Sequence, residues 1–329
     1  ILGCLLGFVL TVGRGLGEWV WTGGELRVRE RGSDDWLYAD ESQYSFIRVT
    51  ENKVEKTRSM LLDFLLHAVY LPGDENRLMY DFAQVYATLT ERLAQGRGAL
   101  EVLVLGGGGY VFPRYVQNHW PGSRVQVAEI DPAVTRANLK AFGLKESQMV
   151  VRERAGDALA GEAVRAGGGG PPNASLRPIE IYHMDARNHV DDLLKLQGAG
   201  KGTPELLDFV YGDAFNDFSV PFHLVTFEFT ENVRRLLHPQ KGVYLLTLID
   251  IYHLGRFMGA VYNTFRKVFP HVYIITNNPG GLKTGPRSRD TYIMVGAMEA
   301  LDLTELGTRE GGQPFTGTIL NAEHLRHIE

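Results

Sequence analysis

Apolar and polar positions divide the chain into a short β-rich stretch followed by a long run in which strands alternate with helices. From Glu25 to Val69 the pattern has a period of two: Glu25–Glu30 and Tyr44–Val49 alternate, and the apolar run Met60–His67 reads as a further strand. Leu71–Asp74 has the composition of a turn. Beyond it, Leu78, Phe82, Val85, Leu89 and Leu93 recur at helical spacing, predicting a helix over 78–93 that lays one face on the sheet that follows. Glu101–Leu105 is then a buried strand that breaks into Gly106–Gly109. Tyr110–Trp120 has the length of a crossover helix, and Val125–Asp131 is a second strand ending in acid. Pro132–Phe142 predicts a helix, with the proline in its first turn, where a missing N–H costs nothing, and Gly143 as its stop. Val150 and Val151 begin a third strand. Ile179–Asp185 and Leu207–Asp213 are further strands ending in acid, His223–Leu237 is a helix, and Val243–Leu248, Val272–Ile275 and Tyr292–Val295 close the series.

This order predicts an α/β fold with a doubly wound sheet, its site along the carboxyl edge, preceded by a small antiparallel β-domain. The expected divisions are an apolar stub at 1–20, the β-domain at 21–76, the sheet domain at 77–300 and a tail at 301–329. The stretch Gly156–Arg177 shifts to alanine and glycine and reads as a surface insertion.

Composition narrows the classes. Across 329 residues, 44% hydrophobic and 22% charged positions are those of a globular protein with a sizeable core. A net charge of −5 with no Lys/Arg-rich block leaves no electrostatic footprint for nucleic acid. The single cysteine, Cys4, excludes an internal disulfide framework and any cysteine-based metal site, and no metal is expected. The apolar segment Ile1–Gly13 is shorter than the roughly 20 residues that span a bilayer, so it is either the end of a membrane helix or a buried element of the fold.

The candidate chemistry begins at the glycines. Gly106, Gly107 and Gly108 let the backbone approach a ligand where a Cβ would collide. Glu129, 23 residues after Gly106, stands where a carboxylate can accept hydrogen bonds from two ribose hydroxyls. Strand-end acids can also simply cap the next helix.

With these pieces in order, the chain resembles the spermidine synthase family of aminopropyltransferases, over about residues 25–298 on the pattern of a Rossmann-type domain. The matching residues are Leu62-Asp63, Tyr80, Gly106-Gly107-Gly108, Arg114, Glu129-Ile130-Asp131-Pro132, Asp185-Ala186 and Asp213-Ala214-Phe215. Ser219–Phe229 and Leu62–His67 look most like a bacterial branch whose synthase domain is fused to membrane helices. The resemblance implies a Rossmann-like sheet of the S-adenosylmethionine-methyltransferase type. It implies transfer of the aminopropyl group of decarboxylated S-adenosylmethionine to a diamine such as putrescine, giving spermidine and methylthioadenosine. The nucleoside is then a co-substrate, and no tightly bound cofactor is expected. Glu129 would bind the ribose, Asp185 with Ala186 the adenine, Asp131 would belong to the same nucleoside-binding segment, Asp213 would be the catalytic acid, and Tyr80 would help hold the diamine. Asp157 is a rival to Asp185. A homodimer is expected, located in the cytoplasm or attached to a membrane through the N-terminus with its catalytic domain in the cytoplasm.

The departures fall on the amine side. Gly109-Tyr110-Val111 stands where family members carry Asp-Gly-Gly, whose aspartate grips the aminopropyl ammonium. Asn216, beside Asp217, replaces a second aspartate, and Asp81 replaces the glutamine or histidine after the motif tyrosine. Two other functions therefore stay open: an S-adenosylmethionine-dependent methyltransferase, and a membrane-attached pseudoenzyme that binds a nucleoside without turning it over.

Overall fold

A computed structural model describes residues 35–155, 176–199, 206–215, 219–277, 289–303 and 317–328. The strand expected at Glu25–Glu30, the apolar stub, Asp157, Asn216 and Asp217 lie outside the described residues. Among the described residues, no helix is long and apolar enough to cross a membrane.

The first sheet is an antiparallel meander of four strands, β1 (Trp36–Glu41), β2 (Phe46–Asn52), β3 (Thr57–Leu62) and β4 (Leu65–Tyr70). The run Met60–His67 is therefore not one strand but the turn of a hairpin. Asp63 adopts φ 52°, and its carboxylate accepts from the Phe46 amide at 2.9 Å, so a short polar residue that tolerates the left-handed region reverses the chain inside an apolar run.

The second sheet has nine strands. β5 (Glu101–Leu105) and β9 (Phe209–Gly212) lie at its centre. β6 (Arg124–Ala128), β8 (Ile179–Tyr182) and β7 (Met149–Arg152) extend it on one side. β10 (Val243–Ile251), β12 (Arg289–Ala297), β11 (His271–Thr276) and β13 (Thr318–Ile319) extend it on the other. The six strands from β7 to β10 are parallel, while β12, β11 and β13 pair antiparallel. This is a Rossmann-like sheet of the methyltransferase type. The order reverses between β5 and β9, and a crevice opens outside the carboxyl ends of strands at such a switch point.

Its helices are α1 (Asp81–Leu93), α2 (Val111–His119), α3 (Pro132–Ala141), α4 (Ala186–Ala199), α5 (Phe227–Leu236), α6 (Phe257–Val268) and α7 (Ala322–Ile328). They cover both faces, which explains why the central strands are buried along almost their whole length rather than on one face. The expected helix His223–Leu237 starts late: Phe222–Leu224 is a separate 3-10 turn, and Thr226 then caps α5 by accepting from the Phe229 amide.

The two sheets meet along α3. Ser42 donates to Asp131 Oδ2 at 2.5 Å and Arg136 pairs with Asp40 at 3.2 Å, while Tyr70 and Phe142 pack ring against ring. The first sheet is thereby held over the carboxyl edge of the second.

Candidate active site

Four consecutive strands in the sheet, β8, β6, β5 and β9, end at Asp185, Glu129, the glycine turn and Asp213 respectively. Backbone bonds carry the ladder to the edge: Glu129 N–H donates to Tyr182 O at 3.0 Å, Gly106 N–H to Ala128 O at 2.8 Å and Asp213 N–H to Leu105 O at 2.8 Å. Three strand spacings of about 4.8 Å place Asp185 roughly 14 Å from Asp213, room for a nucleoside lying across the edge with its tail toward β9.

The turn itself demands glycine. Gly106 has φ +100°, and a Cβ there would meet the Asp213 carbonyl oxygen at 2.6 Å; at Gly107 it would meet the Tyr110 ring at 2.7 Å and Glu129 Oε2 at 2.9 Å. Bare backbone thus brings the turn against Asp213 on one side and Glu129 on the other.

Glu129 is 7% exposed, and both of its oxygens are engaged: Oε2 accepts from the Gly107 amide at 2.7 Å and Oε1 from the Asp131 amide at 2.8 Å. Burial pushes its carboxyl above the usual range while these amides pull it back. The Gly108 amide adds to this pull, and a carboxylate oxygen can accept more than one hydrogen bond. Asp131 caps α3, accepting from the Ala133 amide at 2.8 Å with one oxygen and from Ser42 with the other. Its carboxylate is committed to the joint between the sheets.

Asp185 immediately precedes α4, where Ala186 is buried. Its Oδ1 accepts from the Arg187 amide at 2.8 Å, and His223 Nε2 lies 2.9 Å from its Oδ2. Arg187 in turn donates to the His223 carbonyl at 2.8 Å, locking the Phe222–Leu224 turn against α4.

On the other side, a cavity opens between the first sheet, α1 and the start of α2. Its walls hold His67, Tyr80, Phe82, Tyr86, Phe112 and Asp213, together with Gly106 and Gly107. No hydrogen bond from a described residue reaches the Asp213 carboxylate, and burial alone raises its pKa well above the usual carboxylate value. Tyr80, at the N-terminal boundary of α1, donates to the Leu66 carbonyl at 3.1 Å; burial and then the Asp213 charge raise its phenol. His67 is pushed down to about 4 by burial, against the pull of Asp63, so its imidazole is neutral.

Of the residues the sequence points to, Asp213, Tyr80, Gly106 and Gly107 line this cavity and Gly108 does not. Sequence reasoning missed three residues. Tyr86 lies 3.0 Å from the Gly212 carbonyl and 2.5 Å from Thr247 Oγ1, holding the strand end from which Asp213 emerges; it sits one position beyond Val85, off the stripe that was read as core. His67 closes an apolar run, and His223 bonds to an acid 38 residues away, a pairing no local spacing reveals. Arg114 is buried under the turn, donating to the Tyr110 and Phe142 carbonyls over the Tyr70 ring, and does not line the cavity.

No family profile matches the chain, and no curated protein matches it in sequence. Solved structures do match its fold. A probable spermidine synthase from Corynebacterium glutamicum superposes with a TM-score of 0.66 at 21% identity, covering 88% of this chain and 92% of that one. A spermidine synthase in complex with the transition state analogue AdoDATO matches with a TM-score of 0.51 at 16% identity, over 80% of this chain and 74% of that one. Spermidine synthase from Thermotoga maritima gives 0.50 at 16% identity, over 80% and 73%. The fold is consistent with that of these spermidine synthases.

Proposed function

We propose that the protein is a transferase that moves an alkyl group from an S-adenosyl sulfonium to an amine, with decarboxylated S-adenosylmethionine as donor, the aminopropyl group as cargo and methylthioadenosine as product. The observation that carries this is Asp213: a carboxyl with no partner among the described residues, at the end of a central parallel strand, its backbone pressed against the glycine turn, and lining the cavity. The likeness to a spermidine synthase that holds a transition state analogue supports the choice of donor.

The chemistry assigns each residue a task. Glu129 takes the ribose hydroxyls on its carboxylate oxygens, and the Gly107 amide keeps it aimed. Asp185 with Ala186 holds the adenine, its exocyclic amino group sharing or displacing the His223 contact. Asp131 shapes the segment by capping α3 rather than by touching the nucleoside. The amine nitrogen attacks the carbon beside the sulfonium, the C–S bond breaks with its electron pair going to sulfur, and the proton shed by nitrogen passes to Asp213. A carboxylate of ordinary pKa is a poor base toward an ammonium, and burial narrows that gap. Tyr80 borders the same space and steadies the amine. We retain the homodimer as part of this proposal.

A specific feature favours a second reading. With Gly109 in place of an acid, nothing among the described cavity residues grips an aminopropyl ammonium, so a methyl group from intact S-adenosylmethionine is the rival cargo. Incubating the protein with each donor and a panel of amines, with mass-spectrometric analysis of products, decides. An aminopropylated amine with methylthioadenosine is expected. A methylated amine with S-adenosylhomocysteine would establish the rival, and neither product would leave a nucleoside-binding protein.

A further inference from the structure

The acceptor side of the cavity is lined by Val69, Met79, Phe82, Val111, Phe112 and Pro113, with the rings of Tyr80 and Tyr86 between them. Among the described residues that line it, Asp213 is the only carboxylate, and the one imidazole, His67, is uncharged. Asp63, the acid acting on His67, is turned to the Phe46 amide and stands outside the lining. The rings carry no charge, and they are engaged with one another. Tyr80 and Phe82 meet at 82° with centroids 5.0 Å apart, and Phe82 and Tyr86 at 81° and 5.6 Å. In each pair one ring turns its edge to the other's face, which occupies one of the negative faces that could attract a cation. Nor is there room to restore an acid at Gly109, where any Cβ would collide with Ala68 and with the Phe142 ring at 2.6 Å.

From this we infer that the acceptor is a monoamine with an apolar alkyl or aryl body, not a diamine or polyamine. One ammonium meets Asp213, which has no partner among the described residues, and the remainder of the molecule lies along the apolar wall. A diamine would carry its second ammonium into that wall with no counter-charge among the described lining residues, which strips its hydration without compensation. The assignment rests on the amine-transfer chemistry proposed above, and its test is arranged so that the two fail separately.

Hexylamine and 1,5-diaminopentane have the same chain length and differ only at the far end. Their binding to the wild-type protein in the presence of methylthioadenosine is measured by calorimetry, and their turnover with both sulfonium donors by mass spectrometry. Hexylamine should bind and react at least about tenfold better, because each tenfold is only about 1.4 kcal/mol of the desolvation at stake. Equal or better binding of the diamine overturns the inference whatever the turnover shows. Preferential binding of hexylamine without transfer to any amine would instead remove the transfer chemistry and leave the monoamine preference standing. Val111→Glu, at the first position of α2 where a helix tolerates an acid, supplies the second carboxylate and should move the preference about tenfold toward the diamine. A correctly folded variant, judged by its melting temperature, with an unmoved preference would also count against the inference.

Discussion

The two halves of the carboxyl edge treat their acids in opposite ways. On the side of β6 and β8, Glu129, Asp131 and Asp185 each have both oxygens engaged, mostly by backbone amides that the turns bring to them. On the side of β9, Asp213 has no described partner and is surrounded by rings and aliphatic chains. A carboxylate held by amides is rigid and already stabilised, which suits recognition of a neutral polar group such as a ribose. A bare one gains everything from the arriving cation. The difference separates binding from chemistry along about three strand spacings, and it can be broken experimentally from either end.

The largest expected effect is on Asp213. Asp213→Asn keeps shape and removes charge, so turnover should fall roughly 10²–10⁴-fold, the usual share of positioned acid–base assistance, and the loss should persist at saturating amine. Affinity for methylthioadenosine should hardly move. Full transfer by this variant would make Asp213 structural and erase the contrast.

At the other end, Glu129→Gln should act on binding. The replacement amide offers one oxygen and one NH2 where two backbone N–H groups now point, so a donor must face a donor. That clash weakens the free protein, while affinity falls because charge-assisted bonds to the ribose hydroxyls become neutral ones about half as strong. Calorimetry with methylthioadenosine should show weakening of at least about tenfold. Undiminished affinity would mean that Glu129 only braces the glycine turn.

Much of this edge was legible in the chain. The β5 strand, the glycines and the acids at 129, 185 and 213 follow from local patterns that also determine where strands end, and the structure places all of them at strand termini on one edge. Asp185 lies just before α4, three residues past β8, the strand that pairs with β6. What was not legible depends on contacts between distant segments. The hairpin inside Met60–His67 hinges on Asp63 accepting a bond 17 residues back, and β13 joins the sheet through β11 from a stretch with no strand-like alternation. The cavity is the clearest case, since its walls come from β4, α1, α2 and β9 and none of those segments reveals that its apolar residues face a space.

The smallest effect concerns stability, and it sharpens the comparison because the bare half should cost more: burial raises Glu129 as well, but amides offset part of that, and burial acts alone at Asp213. A carboxyl whose folded pKa is raised binds its proton more tightly folded than unfolded. Stability from Asp213 is therefore intact below the unfolded value of 3.8 and is lost as pH rises toward the folded one. His67 runs the other way. Its folded value of about 4 lies below 6.5, so its contribution is present above pH 6.5 and is lost as pH falls from there toward 4. Asp213→Asn should accordingly raise the melting temperature at pH 8 by a few degrees, on the scale of about 2–4 °C per kcal/mol for a domain of this size. His67→Leu should leave the alkaline limb alone and flatten the acid limb between pH 6.5 and 4. Thermal unfolding of the three proteins across pH 4 to 9 reads both limbs at once. If the variants kept the wild-type pH dependence at both ends, the acceptor side would be as well compensated as the nucleoside side, and the bare carboxyl on which transfer depends would have a partner after all.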